Sequence, residues 1–491
     1  MSFYSNSARN AASFQVFSDA MLQDDSLPLS ELIDAEVFQE ACDRFEVNFG
    51  CEEDAVYTPA LVLWALVSQA LFKEEQRSCS AAVTRIAMWW ASQGRVVDDT
   101  NSGAYCRARK KIPDELVAYL VRTIAERAEQ SSDLGEPLQE DQAEAMLTPA
   151  AIAQVRTQPV AGRILKVDGF TVDAADTEAN QEEYPQNPSQ EEGLGFPILR
   201  CVSLISLATG MLVDLAIAPY CGKQTGETAL LRKMMATLRP GDILIADCYY
   251  CTYWLLAMCK AKGVEVVMKN HHKRDDHPEN AQRICKGQRQ VVWRKPQRPT
   301  WMSEEEYALL PAEMAIRLVD VTVNEPGFRG EGFTVATTLL NHRVYSEQWI
   351  GSAYRSRWWV ELHIRSIKCS LGMEILRAKT PPMVRTELWS CLLAYNLTRL
   401  KMMQSGIDGS RDVRSMSFTR CLVLLGNSWL LAGARGANAA MIQIGQNQPL
   451  DEVVGHREGR SEPRENKRRP KVLKLMTIPR AAQRDSVRLA A

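Results

Sequence analysis

Four residues within fifteen positions carry side chains suited to a charged substrate: Tyr354, Arg357, Glu361 and Lys368, in the stretch YRSRWWVELHIRSIK. They recur at i, i+3, i+7 and i+14, and at a helical step of about 100° per residue they share a stripe roughly 60° wide. A second stripe, Val360, Ile364, Ile367 and Leu371, predicts a buried face beside the polar one. Tyr354 to Lys368 is therefore predicted as a single helix that sets a carboxylate among cations at the edge of a core. The polar stripe then borders whatever cleft lies at that edge. The spacings Arg357 to Glu361 and Glu361 to Arg365 are equally those of i,i+4 pairs on a solvated helix face.

Other elements must bring partners to that helix, and the texture turns to strands at Arg163. ILKVDGFTV places Asp168 at the end of an apolar run, immediately before a glycine. ILRCVSLISLATGMLVDLAIAPY gives two strands around Ala208-Thr209-Gly210, a hairpin signal. Glu227 to Leu238 reads as a helix, and DILIADC as a short buried strand ending on Asp247. Thr252 to Ala261 is helical, Gly263 stops it, and VEVVMKN is another strand. An Asp after a strand also serves as a turn or helix cap, so neither aspartate alone identifies a site. Asp173 and Asp176 compete with Asp168, which alone ends the apolar strand.

The pattern Tyr-x2-Arg-x3-Glu-x6-Lys resembles the Tyr-Arg-Glu-Lys signature of DDE-class bacterial insertion-sequence transposases. That family needs two upstream aspartates at the ends of buried strands, and Asp168 and Asp247 meet the requirement. VDGFTVDAADTEAN is similar to the family's Asp-Gly-x-Thr segment, with Ala175-Asp176-Thr177 at its turn. After Asp247 stands Cys248-Tyr249-Tyr250, where the family commonly has a basic residue and Tyr. The resemblance implies an α/β fold: a ribonuclease-H-like mixed sheet flanked by helices, interrupted by a β-rich insertion, behind an all-α N-terminal domain. It implies that Asp168, Asp247 and Glu361 are catalytic and hold Mg²⁺, with Mn²⁺ as substitute, for an in-line displacement at phosphorus. Tyr354, Arg357 and Lys368 would hold flanking phosphates. The partner would be double-stranded DNA, as terminal inverted repeats and target, bridged by a homodimer in the cytoplasm and nucleoid of a bacterium. A nuclease that cuts without joining would share the carboxylates but not need the stripe. A non-catalytic end-binding protein would tolerate their loss.

Composition sets bounds independent of the family. The chain has 491 residues, 46% apolar and 24% charged, enough for two to four domains of a soluble globular type. The longest apolar segments, Pro59 to Phe72 and Leu422 to Ala434, are too short and interrupted for a bilayer, and MSFYSNSARN lacks the apolar run of a signal peptide. The thirteen cysteines point to reduced thiols, and Cys248-x2-Cys251 to packing around a strand end. Net charge is −2, but its distribution is uneven: Phe17 to Asp54 holds twelve acids against Arg44, and His456 to Arg480 nine cations against three Glu.

Five regions follow. The resemblance implies that residues 1–150 are a helical DNA-binding domain and linker; the basic cluster there equally suits a solvated turn in a helical bundle. Thr58-Pro59 opens one helix, Ser80 to Ser92 forms another, and Arg107, Arg109, Lys110 and Lys111 cluster before a third. Residues 160–270 are the first part of the core and 271–340 the insertion, since 114 positions separate Asp247 from Glu361. In the insertion Trp293 and Trp301 interleave with Arg294, Lys295 and Arg298 and would suit stacking on a flipped base; each Trp could equally cover a small sheet. HHKRDDH there offers His271, His272, Asp275, Asp276 and His277, but its Lys273-Arg274 pair is ill suited to a dication. Residues 341–404 complete the core, with Val384 to Met402 predicted to pack beneath the sheet, and 405–491 end in a basic tail. Deleting His456 to Ala491 is expected to weaken DNA binding and flatten its salt dependence, since each phosphate contact releases counterions. An unchanged slope of affinity against salt would make the tail a passive extension.

Overall fold

The computed structural model describes residue 14, most of 34–132, 162–271, most of 273–322, 332–408, 416–432, and residues 478, 479 and 482. The acidic linker, most of the basic tail, and His272, Asp276 and His277 lie outside these described residues. Two compact units emerge: Met1–Glu136, Ala208–Asp214 and Leu362–Val454 in one, Pro137–Leu207, Leu215–Glu361 and Gly455–Ala491 in the other.

In the first unit the described N-terminal segments are helical: α1 (Ala35–Arg44), α2 (Pro59–Leu71), α3 (Cys79–Ser92), α4 (Ser102–Ala108) and α5 (Asp114–Ser132). Thr58 caps α2 by accepting from the Leu61 N–H, and Pro59 takes the first turn, where its missing donor costs nothing. All but Gln69 of α2 is buried, so its apolar run is core. The helix predicted from Val384 to Met402 belongs to a longer helix, Pro381–Asp408, and packs on α2 and α5. Leu388 through Gln404 are buried on every side, as a helix surrounded by other helices requires, and Asn396 exchanges hydrogen bonds with Leu212 and Val121. Among the described residues no helix is long and apolar enough to cross a membrane. All thirteen cysteines are free thiols.

A nine-stranded mixed sheet makes up most of the second unit, with the first three residues of its third strand counted in the other. Its strands are β1 (Ile164–Asp173), β2 (Ile198–Ser206), β3 (Leu212–Pro219), β4 (Ile243–Ala246), β5 (Glu265–Lys269), β6 (Gln282–Cys285), β7 (Gln288–Arg294), β8 (Glu313–Val321) and β9 (Phe333–Thr337). Their order is β3-β2-β1-β4-β5-β9-β8-β7-β6. β1, β4 and β5 are parallel, and β2 lies antiparallel to β1. All four residues of β4 are buried, the mark of a strand covered on both faces. The elements between them are α6 (Glu178–Glu183), α7 (Glu227–Lys233), α8 (Tyr253–Ala261) and α9 (Glu304–Leu309). Gly263, at φ +74°, ends α8 and turns the chain into β5.

The strands expected in 271–340 are present, and they extend the same sheet: β9 pairs antiparallel with β5, and β8, β7 and β6 follow. β5 would otherwise expose an edge, and Thr337 Oγ1, donating 2.6 Å to the Val266 carbonyl, reinforces the junction.

After β9 comes α10 (Glu347–Arg355), whose Trp349, Ile350 and Ala353 bury against Ile243, Ile245, Val267, Val319 and Val335 of the sheet. Burying Trp349 and Ile350 contributes roughly 2–3 kcal/mol each. The single helix predicted from Tyr354 to Lys368 is instead three segments: the end of α10, α11 (Trp358–Arg365) and a π turn, Ser366–Ser370. Ser356 is the cause at the first joint. Its hydroxyl takes the Ala353 carbonyl at 2.6 Å, and the N–H groups of Arg357, Trp359 and Val360 bond three residues back. At the second, Leu371 N–H reaches five residues back to Ser366.

Candidate active site

β1 pairs with β4 at Ile164–Ile243, Leu165–Leu244 and Lys166–Ile245. The last pair lies two residues before each aspartate, so Asp168 and Asp247 follow neighbouring strand segments at equal distance beyond the end of the ladder. β1 does not end at Asp168, as its apolar run predicted; it continues to Asp173 on the support of β2, while its pairing with β4 stops at Lys166. Asp173 lies five residues on in an unbroken register and so points to the opposite face of the strand. Asp176 accepts a hydrogen bond from Gln181 beyond the strand. Each candidate aspartate is pinned by backbone donors: Gly169 N–H to Asp168 Oδ1 at 2.9 Å, Tyr249 N–H to Asp247 Oδ1 at 2.8 Å.

The sheet-seated α10, the joint after it and α11 carry the rest. Tyr354 packs its ring on Phe333 at 5.1 Å and hydrogen-bonds Arg357. The Arg357 guanidinium reaches Glu361 Oε1 at 3.0 Å through one terminal nitrogen and Asp168 Oδ2 at 3.7 Å through the other. Both residues follow the joint at Ser356, and Arg357 pairs with Glu361 at i,i+4. Asp168, Asp247, Tyr354, Arg357 and Glu361 are thus brought together. Lys368 lies half-buried in the π turn, in the unit that resumes at Leu362, so one straight stripe does not describe it.

Burial is the largest influence on Asp168 and pushes its carboxyl up to about 6; Arg357 and the Gly169 N–H oppose the rise, and Asp247 and Glu227 add to it. Burial likewise raises the Tyr354 hydroxyl to about 12. Burial works against the charge of Arg357, but Tyr354, Asp168 and Glu361 outweigh it and hold the guanidinium above its ordinary range. The folded state therefore keeps a proton on Asp168 between its ordinary 3.8 and about 6, where the unfolded chain has lost it. The stability this gives is full below the lower value and is lost as pH rises to the upper one. In chelator, Asp168→Asn is expected to melt above wild type at pH 8, and the gap should close towards pH 4. Equal melting temperatures at both pH values would refute the assignment.

The donor set suits a divalent cation: its carboxylates are hard oxygens whose crowding raises the cost of ionising Asp168. Among the described residues no three His, Cys, Asp or Glu side chains converge closely enough to hold a metal ion, and Arg357 stands between Asp168 and Glu361 as the local positive charge. Trp293 and Trp301 lie away from this group in sequence, each with a guanidinium over its ring, Arg274 at 3.9 Å and Arg232 at 3.7 Å. Arg274 also donates to the Cys251 carbonyl.

Sequence reasoning missed Glu227. It opens α7, accepts the Tyr250 hydroxyl at 3.0 Å, and lies across Gly169 so closely that a Cβ there would sit 2.4 Å from its Cδ. The glycine after Asp168 and the second tyrosine after Asp247 were its only traces in the chain.

Residues 161–397 match the family described as Transposase DDE domain. Over 244 residues the chain is 24% identical to the transposase InsG for insertion sequence element IS4 of Escherichia coli (strain K12), a match spanning 49% of this chain and 52% of that one. The chain thus spans about half the length of the curated relative it matches. Among solved structures it resembles the piggyBac transposase synaptic complex with hairpin DNA at a TM-score of 0.40 and 11% identity, over 91% of this chain and 86% of that one. A likeness of that size does not fix a shared topology.

Proposed function

We propose that this chain, which belongs to the DDE-class insertion-sequence transposases through the domain at residues 161–397, binds the ends of its element, cleaves them and joins the 3′ hydroxyls to target DNA. The observation that carries this reading is Arg357 joining Asp168 on β1 to Glu361 on α11, with Asp247 just past the end of β4, the strand that pairs with β1. Strand order β3-β2-β1-β4-β5, with β1 antiparallel to β2 and parallel to β4, supports a ribonuclease-H-like core. On this reading the strands β6 to β9 are the insertion, and the N-terminal helices grip the DNA ends.

Asp168, Asp247 and Glu361 would hold the divalent ions, Mg²⁺ or Mn²⁺. The chemistry such ions supply when bound is relief of charge on the attacking and leaving oxygens of an in-line displacement. The chain's own part is orientation. Backbone N–H groups fix the two aspartates, and Arg357, already turned towards both Asp168 and Glu361, is placed to take a phosphate beside the cut by a two-pronged contact. Tyr354 steers Arg357 and adds a hydroxyl for a neighbouring phosphate, and Lys368 and the two tryptophans extend the grip along the DNA. Bridging two ends calls for a dimer, and release of the element through hairpin ends fits the same machinery.

The deciding experiment incubates purified protein with its flanking DNA ends, target DNA and Mg²⁺. Joined products are expected. Cutting without joining would make the protein a nuclease, and binding without cutting, in Mg²⁺ or Mn²⁺, would make it an end-binding protein.

A further inference from the structure

The two candidate aspartates come from strands whose backbone pairing stops short of them. β1 and β4 are joined at three positions, the last Lys166 with Ile245, and both carboxylates lie beyond. Their spacing therefore depends on something other than the ladder. Glu227 supplies a connection. Its carboxylate rests over Gly169, the residue after Asp168, and accepts the hydroxyl of Tyr250, three residues after Asp247. Tyr250 is completely buried, so its hydroxyl cannot turn to water for a partner, and α7, which carries Glu227, buries its Ala229, Leu230 and Leu231. One side chain thus touches the segment of each aspartate while standing on a third element.

We propose that Glu227 is a positioning residue: acting through Tyr250 and against Gly169, it fixes the separation of Asp168 and Asp247. This rests on the reading that those aspartates hold divalent ions. Removing the link leaves every carboxylate of the triad in place but lets the segment after β4 shift relative to β1. The residue should then act on the affinity for the ion rather than on the displacement itself, as outer residues that orient ligands do.

The test uses full-length protein and two measurements: Mn²⁺ binding by electron paramagnetic resonance, without DNA, and the Mn²⁺ concentration for half-maximal single-turnover cutting of an end. Tyr250→Phe, which keeps the ring and removes the hydroxyl, and Glu227→Ala should each weaken Mn²⁺ binding and raise the half-maximal concentration about tenfold. The rate at saturating Mn²⁺ should stay near wild type. Glu227→Gln keeps an oxygen for the Tyr250 hydroxyl and should restore Mn²⁺ dependence to within about threefold of wild type. Gly169→Ala, which drives a methyl into Glu227, should follow Tyr250→Phe. Wild-type Mn²⁺ dependence in Tyr250→Phe overturns the proposal. So does Glu227→Gln failing as badly as Glu227→Ala, which would make Glu227 a ligand in its own right. If wild type itself neither binds Mn²⁺ nor cuts, the reading of the site fails and this inference with it.

Discussion

Asp168→Ala, Asp247→Ala and Glu361→Ala are each expected to lower Mg²⁺-dependent cutting of an element end at least about 10³-fold, more than loss of a single preorganised donor costs. End binding should change less than about threefold, because affinity comes from many phosphate contacts and these three carboxylates repel phosphate. Asp173→Ala is the control. It sits five residues along the same unbroken strand, on the opposite face, and should cut as wild type does. Gel-shift affinity and single-turnover cutting on the same preparations separate the two effects. Substantial cleavage by any of the three alanine variants would remove that residue from the site, and loss of cutting in Asp173→Ala would reopen the choice of aspartate. Metal-free melting adds a check on Asp168: with its carboxyl raised to about 6 by burial, its removal should not destabilise the protein at pH 8.

What the sequence made legible here followed from local rules. β4 reads as a strand because four consecutive apolar residues are too few for a buried helix and are followed by a polar stop at Asp247. Thr252 and Gly263 mark both ends of α8 by their chemistry alone. The misreadings came where a neighbour decides. β1 outruns Asp168 because β2 keeps pairing with it, and Phe170 and Val172, buried beyond the glycine, were the available sign. The helix at Tyr354 breaks because the Ser356 hydroxyl competes for a carbonyl that the periodicity assigns to the backbone, a choice 100° geometry cannot register. That the strands of 271–340 continue the sheet past β5 depends on which edge is free, a fact about the assembled sheet. Glu227 was invisible for the same reason: it meets Gly169 and Tyr250 only when three elements are in place.

Arg357 is where the functional and the merely structural readings part most widely. Its ion pairs with Glu361 at 3.0 Å and Asp168 at 3.7 Å involve side chains that keep contact with solvent. As half-buried pairs still reached by solvent they are worth on the order of 1–2 kcal/mol together, so Arg357→Ala should lower the melting temperature only modestly. If the pairs were its whole role, Lys at this position would serve almost as well. The proposed role demands more, since a guanidinium can meet two oxygens of a phosphate at once while holding the carboxylates, and an ammonium is a single point of charge. Arg357→Ala is therefore expected to slow cutting or joining about 10²-fold and Arg357→Lys about tenfold, with Asp168, Asp247 and Glu361 untouched. Lys368, expected to act as a point charge, should tolerate Arg better than Ala. The measurement is a single-turnover time course on a pre-nicked end at saturating Mg²⁺, with melting temperature beside it. Wild-type rates for Arg357→Ala and Lys368→Ala would return these residues to an ordinary salt-bridged surface, and a full rate for Arg357→Lys would show that charge alone suffices.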